Sequence, residues 1–452
     1  MKLPVQAPSL SDLMAHISHE DLTAALNTRA GPEVNGSYVH WDKLRHLTPP
    51  EGLSANQWWL AIKLARRGNS KRFDLLQDKS GVAFSLALTD SMNRRLHHID
   101  REAAGSIAGM GSRQTDAQNK FLIRSLMEEA MTSSQLEGAS TTRAVAKDML
   151  KTGRKPRDQS ERMIYNNYMA MREVKDRGQR PFTAKDILEL HSMLTADTLE
   201  SEDQCGRLRT AEDNVVIYDR ANPSLVLHVP PKASELPKRL ERLCKFANAP
   251  DSGSFFHPVA RAIAIHFQLA YDHPFCDGNG RTARLLFYWA MLNSGYWLME
   301  YLSISSALKK SPGKYMLAYL HTETDECDMG YFIAQQLEAL EQSIEGLHGY
   351  IARKSEETRR AETLLKSPYI LGKNLNHRQR ALLANALRSP ESAYTVASHQ
   401  GAHRITYPTA LNDLNDLASA KLLRKERVGK ANYFSPTTNL AERLSEKKVI
   451  RT

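Results

Sequence analysis

The sequence predicts a mainly α-helical fold, interrupted by one β-hairpin and closed by a small domain of three helices and two strands. Three observations carry this expectation. Apolar side chains recur at three- and four-residue spacing through residues 118–138, 256–272 and 281–295, as in helices that bury one face. The β-prone runs are few and short, at 82–86, 215–218, 225–229, 422–427 and 431–435. Residues 377–452 read as helices over 377–387, 395–401 and 407–418, followed by a two-stranded wing around Val428-Gly-Lys430. That order is the pattern of a winged helix-turn-helix domain.

Taken along the chain, a length of 452 residues allows two or three domains, each with its own core. Residues 1–110 mix helical stretches with the strand candidate at 82–86, and Trp41, Trp58 and Trp59 are expected to anchor a small core there. Residues 111–350 form the helical centre. Within it, Leu122, Ile123, Leu126, Met127 and Ala130 make the apolar stripe of a helix over about 118–138, with Gly138 as its stop. Glu137 then falls beside the negative end of a helix dipole, a place that suits a cation better. The two β-prone runs joined by Asp219-Arg-Ala-Asn-Pro-Ser224 predict a hairpin over 213–229, closed by Pro230 and Pro231. Residues 351–376 are expected to be a charged helical linker.

The densest chemistry lies in His273-Pro-Phe-Cys-Asp-Gly-Asn-Gly-Arg-Thr-Ala-Arg284. Pro274 ends the preceding helix, because it has no N–H and biases His273 away from the helical region. Gly278 and Gly280 flank Asn279 and let the backbone turn with positive φ, presenting successive N–H groups in one direction. A second helix is expected from Arg281 to about Gly295. Arg281 and Arg284 share a face of its first turn, where each opposes the helix dipole by roughly 0.3–1 kcal/mol. A bound polyphosphate compensates them, since helix N-termini and guanidinium forks both suit phosphate oxygens. His273 titrates near neutrality and fits a general base for an attacking hydroxyl. Asp277 is a hard carboxylate suited to Mg²⁺ with nucleotide oxygens completing its shell. Phe275 is expected to anchor the loop, and Cys276 to fill space.

The run HPFCDGNGRTAR matches the Fic-domain pattern H-x-F-x-[D/E]-G-N-G-R-x-x-R at every fixed position. The resemblance implies a Fic-type helical bundle that transfers AMP from ATP to a Ser, Thr or Tyr hydroxyl of a protein, with release of pyrophosphate. It implies His273 as the base, Asp277 as the Mg²⁺ ligand, and Gly278, Asn279 and Gly280 around the α-phosphate. Arg281 and Arg284 take the distal phosphates. Ser133-Ser-Gln-Leu-Glu137-Gly138 resembles the family's inhibitory pattern [S/T]-x-x-x-E-[G/N], in which this glutamate pairs with the second motif arginine. That implies an autoinhibited enzyme, with the 118–138 helix as the inhibitor. In some members the same glutamate supports AMP removal. The 213–229 hairpin resembles the family's flap, which clamps a target segment by strand pairing. Residues 1–110 resemble the N-terminal extensions of larger bacterial Fic proteins. Tyr315 and Tyr319, four apart on a helix, are candidates to line an adenine pocket, with core packing as the other role.

Composition narrows the partners. No GxxxxGK[ST] or HExxH occurs, so neither a P-loop nor that zinc motif is expected. Cys205, Cys244, Cys276 and Cys327 lack metal-like spacing, no run approaches membrane-span length, and the start Met1-Lys-Leu-Pro-Val-Gln lacks a signal-type apolar stretch. A cytoplasmic setting without membrane contact is expected. Residues 373–452 hold fourteen Lys and Arg against six Asp and Glu, a net +8 of the chain's +10. That asymmetry makes DNA a candidate partner, against which Asp413 and Asp416 on the third helix argue by repulsion. Protein docking and a homodimer are the other partners this segment and the inhibitory helix suggest. A regulator in which the Fic fold serves only as a sensing module is the alternative to the enzyme, and the intact His273 and glycine loop favour the enzyme.

Overall fold

The computed structural model describes residues 2–445 except 16, 29, 105–115, 179, 249–254, 366–368, 371–372, 389–390 and 429–430. The chain divides into two compact units, residues 1–345 and 346–452. In the first, the helices Pro258–Asp272 and Asn279–Asn293 pack directly on one another and bury almost every side chain they carry. Around them lie the helices Asp116–Leu136, Gln159–Asp176, Ala184–Thr195 and Leu236–Asn248. The helix Pro258–Asp272 is enclosed on most sides, with Val259, Ile263, Phe267 and Leu269 fully buried and His266, Gln268 and Asp272 buried with them.

Residues of the N-terminal segment share this unit. The strands Ser70–Gln77 and Ala83–Ala87 pair antiparallel, and the second of them is the run expected at 82–86. Its partner, with the polar pattern Ser-Lys-Arg-Phe-Asp-Leu-Leu-Gln, gave no strand signal in the sequence and forms because pairing satisfies its backbone. The pair is tied to the centre through Arg239, whose guanidinium donates to Asp272 Oδ1 and to the Asp78 carbonyl. Trp58 and Trp59 are buried with Ile62 and Leu44, and Trp41 packs half-buried against them, so the tryptophans do anchor a local core.

The helix Asp116–Leu136 stops one residue before Glu137. The Gly138 N–H reaches the Gln135 carbonyl at 3.2 Å and the Ala139 N–H reaches the Ser134 carbonyl at 3.0 Å, closing the end as a Schellman turn with Gly138 at φ +108°. Glu137 therefore sits just beyond the helix, not in its last turn. The hairpin is narrower than expected. Its strands are Ile217–Asp219 and Asn222–His228, so Val215 and Val216 lie outside them and Arg220 and Ala221 alone form the connection.

The second unit holds the helices His377–Arg388, Val396–His403 and Tyr407–Ser419 and the antiparallel strands Leu423–Val428 and Ala431–Pro436. Thr395 caps the middle helix with a reciprocal capping box to Ser398. Leu383, Ala410, Leu414, Leu417 and Phe434 form its fully buried centre. Asp413 is not on the surface. It is 4% exposed and receives Arg378 Nε at 2.7 Å, Asn376 Nδ2 at 2.7 Å and His399 Nε2 at 3.2 Å. The expected linker is only partly helical: the helix Gly330–Leu365 enters it, and the short strands Tyr369–Ile370 and Lys373–Asn374 follow.

Because Leu414 is 0% exposed at the centre of this small core, Leu414→Ala is expected to destabilise the second unit by about 2–5 kcal/mol. Urea unfolding of the full chain followed by circular dichroism checks this as an earlier first transition.

Candidate active site

The segment between the two central helices is held from three sides. The helix Pro258–Asp272 ends with His273 in the left-handed region, at φ 45° and ψ 57°. Pro274 thus moves His273 out of the right-handed helix, as expected, though into a conformation that is costly for a residue with a Cβ. Asn279 then fastens the loop to itself. Its amide oxygen accepts the Phe275 N–H at 2.9 Å and its amide nitrogen donates to the Phe275 carbonyl at 2.8 Å. The Asn279 side chain therefore braces the turn. Phe275 is fully buried and stacks on the His191 ring at 3.7 Å between centroids, which makes it the anchor the sequence suggested.

His191 gave no signal in the sequence, yet it fixes the loop. The Gly206 N–H donates to its Nδ1 at 3.1 Å, so Nε2 carries the proton and donates to the Asp277 carbonyl at 2.9 Å. Burial lowers its pKa to about 4, which keeps the ring neutral for this arrangement. Gly278, at φ +79°, presses against the same helix, and a Cβ there would meet Thr195 Cγ2 at 2.7 Å. Arg209 supports the other side. Its backbone N–H donates to the Pro274 carbonyl at 2.8 Å, and its guanidinium donates to the carbonyls of His273 at 2.8 Å and Pro231 at 2.6 Å. One buried arginine thus joins the segment following the hairpin to the 273–274 backbone. The hairpin's last residue, His228, is bonded to Glu323 Oε2 and to the Tyr271 carbonyl, each at 2.8 Å.

This scaffold presents His273 with a defined tautomer. Nδ1 lies 3.2 Å from the Ala270 carbonyl and donates to it, leaving Nε2 with a free lone pair. Burial, reinforced by the nearby His228 and Arg209, lowers its pKa to about 4, so the ring is an unprotonated base at neutral pH.

The helix Asn279–Asn293 begins two residues earlier than expected, which places Gly280 inside its first turn without positive φ. The need for glycine there is steric. A Cβ at Gly280 would stand 2.1 Å from Glu137 Oε1 and 3.1 Å from Arg284 Nη1. Glu137 therefore rests its carboxylate on the helix N-terminus, where an anion is favoured. Arg284, 2% exposed, donates from Nη2 to Glu137 Oε1 at 2.6 Å and to the Ser133 carbonyl at 3.0 Å, and from Nε to Ser133 Oγ at 2.9 Å. Burial alone would raise the Glu137 carboxyl, but Arg284, Arg281 and Arg220 hold it below its usual range.

Arg281 is completely buried and its charge is poorly matched. Nη1 donates to the Leu194 carbonyl at 3.0 Å, Nη2 to Asp277 Oδ2 at 3.1 Å, and Nε has no partner. Asp277, its one carboxylate, is 55% exposed and shared with solvent. Tyr315 lies half-buried with its hydroxyl at 2.8 Å from His266 Nε2 and 3.1 Å from that of Tyr319, within a ring cluster that includes Phe332. Thus the structure brings Ser133, Glu137, Gly280, Arg281 and Arg284 to one helix end, with His273, Asp277 and Gly278 on the loop leading into it. No group of three or more metal-ligating side chains occurs among the described residues, so Asp277 stands as a single carboxylate.

Residues 181–291 match the family model described as Fic/DOC family. The protein adenylyltransferase Fic of Drosophila grimshawi is 36% identical over 116 residues, which cover 25% of this chain and 21% of that protein. Its counterpart in Drosophila melanogaster is 35% identical over 116 residues, covering 25% of this chain and 20% of that one. The chain thus spans about a fifth of the length of the curated relatives it matches. A Fic family protein from Desulfovibrio desulfuricans G20 has a similar fold, with a TM-score of 0.50 at 17% identity, over 78% of this chain and 97% of that chain. Motif, helix pair and family match coincide on one segment: the chain carries a Fic domain.

Proposed function

We propose that the protein is an autoinhibited adenylyltransferase that moves AMP from ATP to a Ser, Thr or Tyr hydroxyl of a protein and releases pyrophosphate. The observation that carries this reading is the anion seat at the Asn279–Asn293 N-terminus, occupied by the chain's own Glu137. Two buried guanidiniums and a helix N-terminus form a site whose charge the Glu137 carboxylate and the exposed Asp277 carboxylate only partly match. A triphosphate matches it better. The activity named for the Drosophila relatives supports the same chemistry.

In this mechanism His273 Nε2 takes the proton of the target hydroxyl, whose oxygen attacks the α-phosphorus of ATP. The bond to the bridging oxygen breaks, and pyrophosphate leaves. The turn at Gly278 and Gly280 allows close backbone approach to the α-phosphate, while Arg281 and Arg284 hold the departing phosphates. The exposed Asp277 carboxylate fits Mg²⁺, an ion that takes one or two carboxylates and completes its shell with phosphate oxygens and water. An ion held by Asp277 would supply positive charge against that developing on the phosphates. Tyr315, tied to His266, belongs to the wall behind Arg284, from which an adenine contact remains part of the proposal. Glu137 restrains the reaction by taking Arg284 from the terminal phosphate.

The second unit supports a second, separate reading as a winged helix-turn-helix module that binds DNA. Arg424, Lys425 and Arg427 are exposed on its wing, and Asp413 is turned inward, which removes half of the expected repulsion. Only Asp416 remains exposed on the third helix.

Glu137→Gly is expected to raise transfer of label from α-³²P-ATP with Mg²⁺ at least tenfold, and adding His273→Ala should abolish it. An unchanged rate in Glu137→Gly would remove the autoinhibition. The lowered His273 pKa also sets a pH dependence. The ring stays a base down to about pH 4, so kcat/KM of Glu137→Gly should not halve near pH 6.5 once the ionisation of ATP is allowed for. A limb at pH 6.5 means that the base is a solvent-like histidine. For the second unit, gel shifts across salt concentrations should show log-linear weakening with salt; absent or salt-insensitive binding rejects the DNA reading.

A further inference from the structure

We propose that Arg220, in the turn of the hairpin, latches the inhibitory segment, so that a target strand pairing with the hairpin releases Glu137 from Arg284. The inference rests on the reading of Glu137 as the brake and names what relieves it.

The geometry lies in the two-residue connection between Asp219 and Asn222. From it the Arg220 guanidinium crosses to the end of the helix Asp116–Leu136, 84 residues away in sequence. Nη1 donates to the Leu136 carbonyl at 2.8 Å, and Nη2 lies 3.7 Å from Glu137 Oε2. Leu136 is the helix's last residue, so its carbonyl has no partner within the helix and carries the negative end of the dipole. Both contacts suit a cation. The two oxygens of Glu137 thereby divide their partners: Oε1 faces Arg284 at 2.6 Å and Oε2 faces Arg220.

This places the same turn between two events. The hairpin is a two-stranded sheet, with backbone groups along its outer edges open to a further strand. Tyr218 and Val226 pair across it and are 49% and 40% exposed, an apolar surface that an added segment would cover. Arg220 itself is 70% exposed, held by these two contacts and not by packing. A segment laid on the hairpin that displaces Arg220 removes a cation from Glu137 and from its helix end. Thermodynamic reciprocity then requires the inhibited state to bind that segment more weakly. The latch is weak by design of its chemistry. An exposed guanidinium on one carbonyl and one carboxylate biases an equilibrium without fixing it.

The test uses the full chain in four forms: wild type, Arg220→Ala, Glu137→Gly and the double variant. Self-labelling from α-³²P-ATP should rise roughly two- to fivefold in Arg220→Ala, the span expected of an exposed ion pair and helix-end cation. In the Glu137→Gly background the same change should have no effect, because the latch has nothing left to hold. A labelling rate that does not rise in Arg220→Ala overturns the proposal. So does a fall in the double variant relative to Glu137→Gly, which assigns Arg220 to nucleotide or target binding. If Glu137→Gly itself transfers no label, the adenylyltransferase reading fails instead. The latch then stands or falls on hydrogen exchange of the amides at 137–139, which Arg220→Ala must accelerate.

Discussion

The Arg284 side chain must be neutralised where it is, and the site is organised around that requirement. A guanidinium 2% exposed in a helical core carries a large desolvation cost unless anions and acceptors surround it. Ser133 supplies two acceptors and Glu137 supplies the charge. Glu129, also buried, lies nearby and accepts from Ser303 Oγ at 2.9 Å and the Ser305 N–H at 3.1 Å. Burial raises the Glu129 carboxyl, while those bonds and Arg284 oppose the rise. Glu129 and Ser133, four apart on one helix face, and Glu137 just past the helix end thus lie around one arginine.

That arrangement gives the proposed inhibition a physical basis. An anion on a helix N-terminus and beside Arg284 can be a carboxylate or a phosphate, but the Gly280 surface admits one at a time. Arg281 differs. It is equally buried, but its Nε is unpartnered and its carboxylate partner is exposed. The chain thus supplies both the charge and the acceptors for Arg284, but leaves Arg281 only partly matched. The Nδ1 bond to Ala270 and the αL turn set the tautomer and place of His273 without a contact to Glu137, whose charge only opposes the lowering of its pKa.

The motif's residues divide into those that face chemistry and those that hold the loop. Phe275, the Asn279 amide, His191 and Arg209 all spend their bonding capacity on backbone groups of residues 272–277 or on packing. Asn279 appears in the nucleotide-binding expectation because it sits between two glycines, yet its side chain is consumed by the Phe275 backbone. What it does in this structure is stabilise the turn. Arg209 takes its role only from the folded chain, where it donates to the carbonyls of Pro274, His273 and Pro231.

The sequence by itself determined the helices, the flanking hairpin and the identity of the motif, because these follow from local periodicity, turn residues and fixed spacing. His273, Gly278, Arg281, Arg284 and Glu137 were all legible in that way. It also placed the winged-helix elements within one or two residues; Thr395 marks the middle helix's start locally, while that helix runs past Gly401 to His403. The Glu137–Arg284 pair was implied by the motif resemblance and the structure supplies its geometry, whereas only the tertiary structure decided the other pairings across long separations: Arg220 with Leu136, His191 with Phe275, Asp413 with Arg378 and His399. Those depend on which buried charge lacks a partner after the helices pack. Desolvation then selects the one carboxylate or carbonyl within reach, and no spacing along the chain encodes that choice.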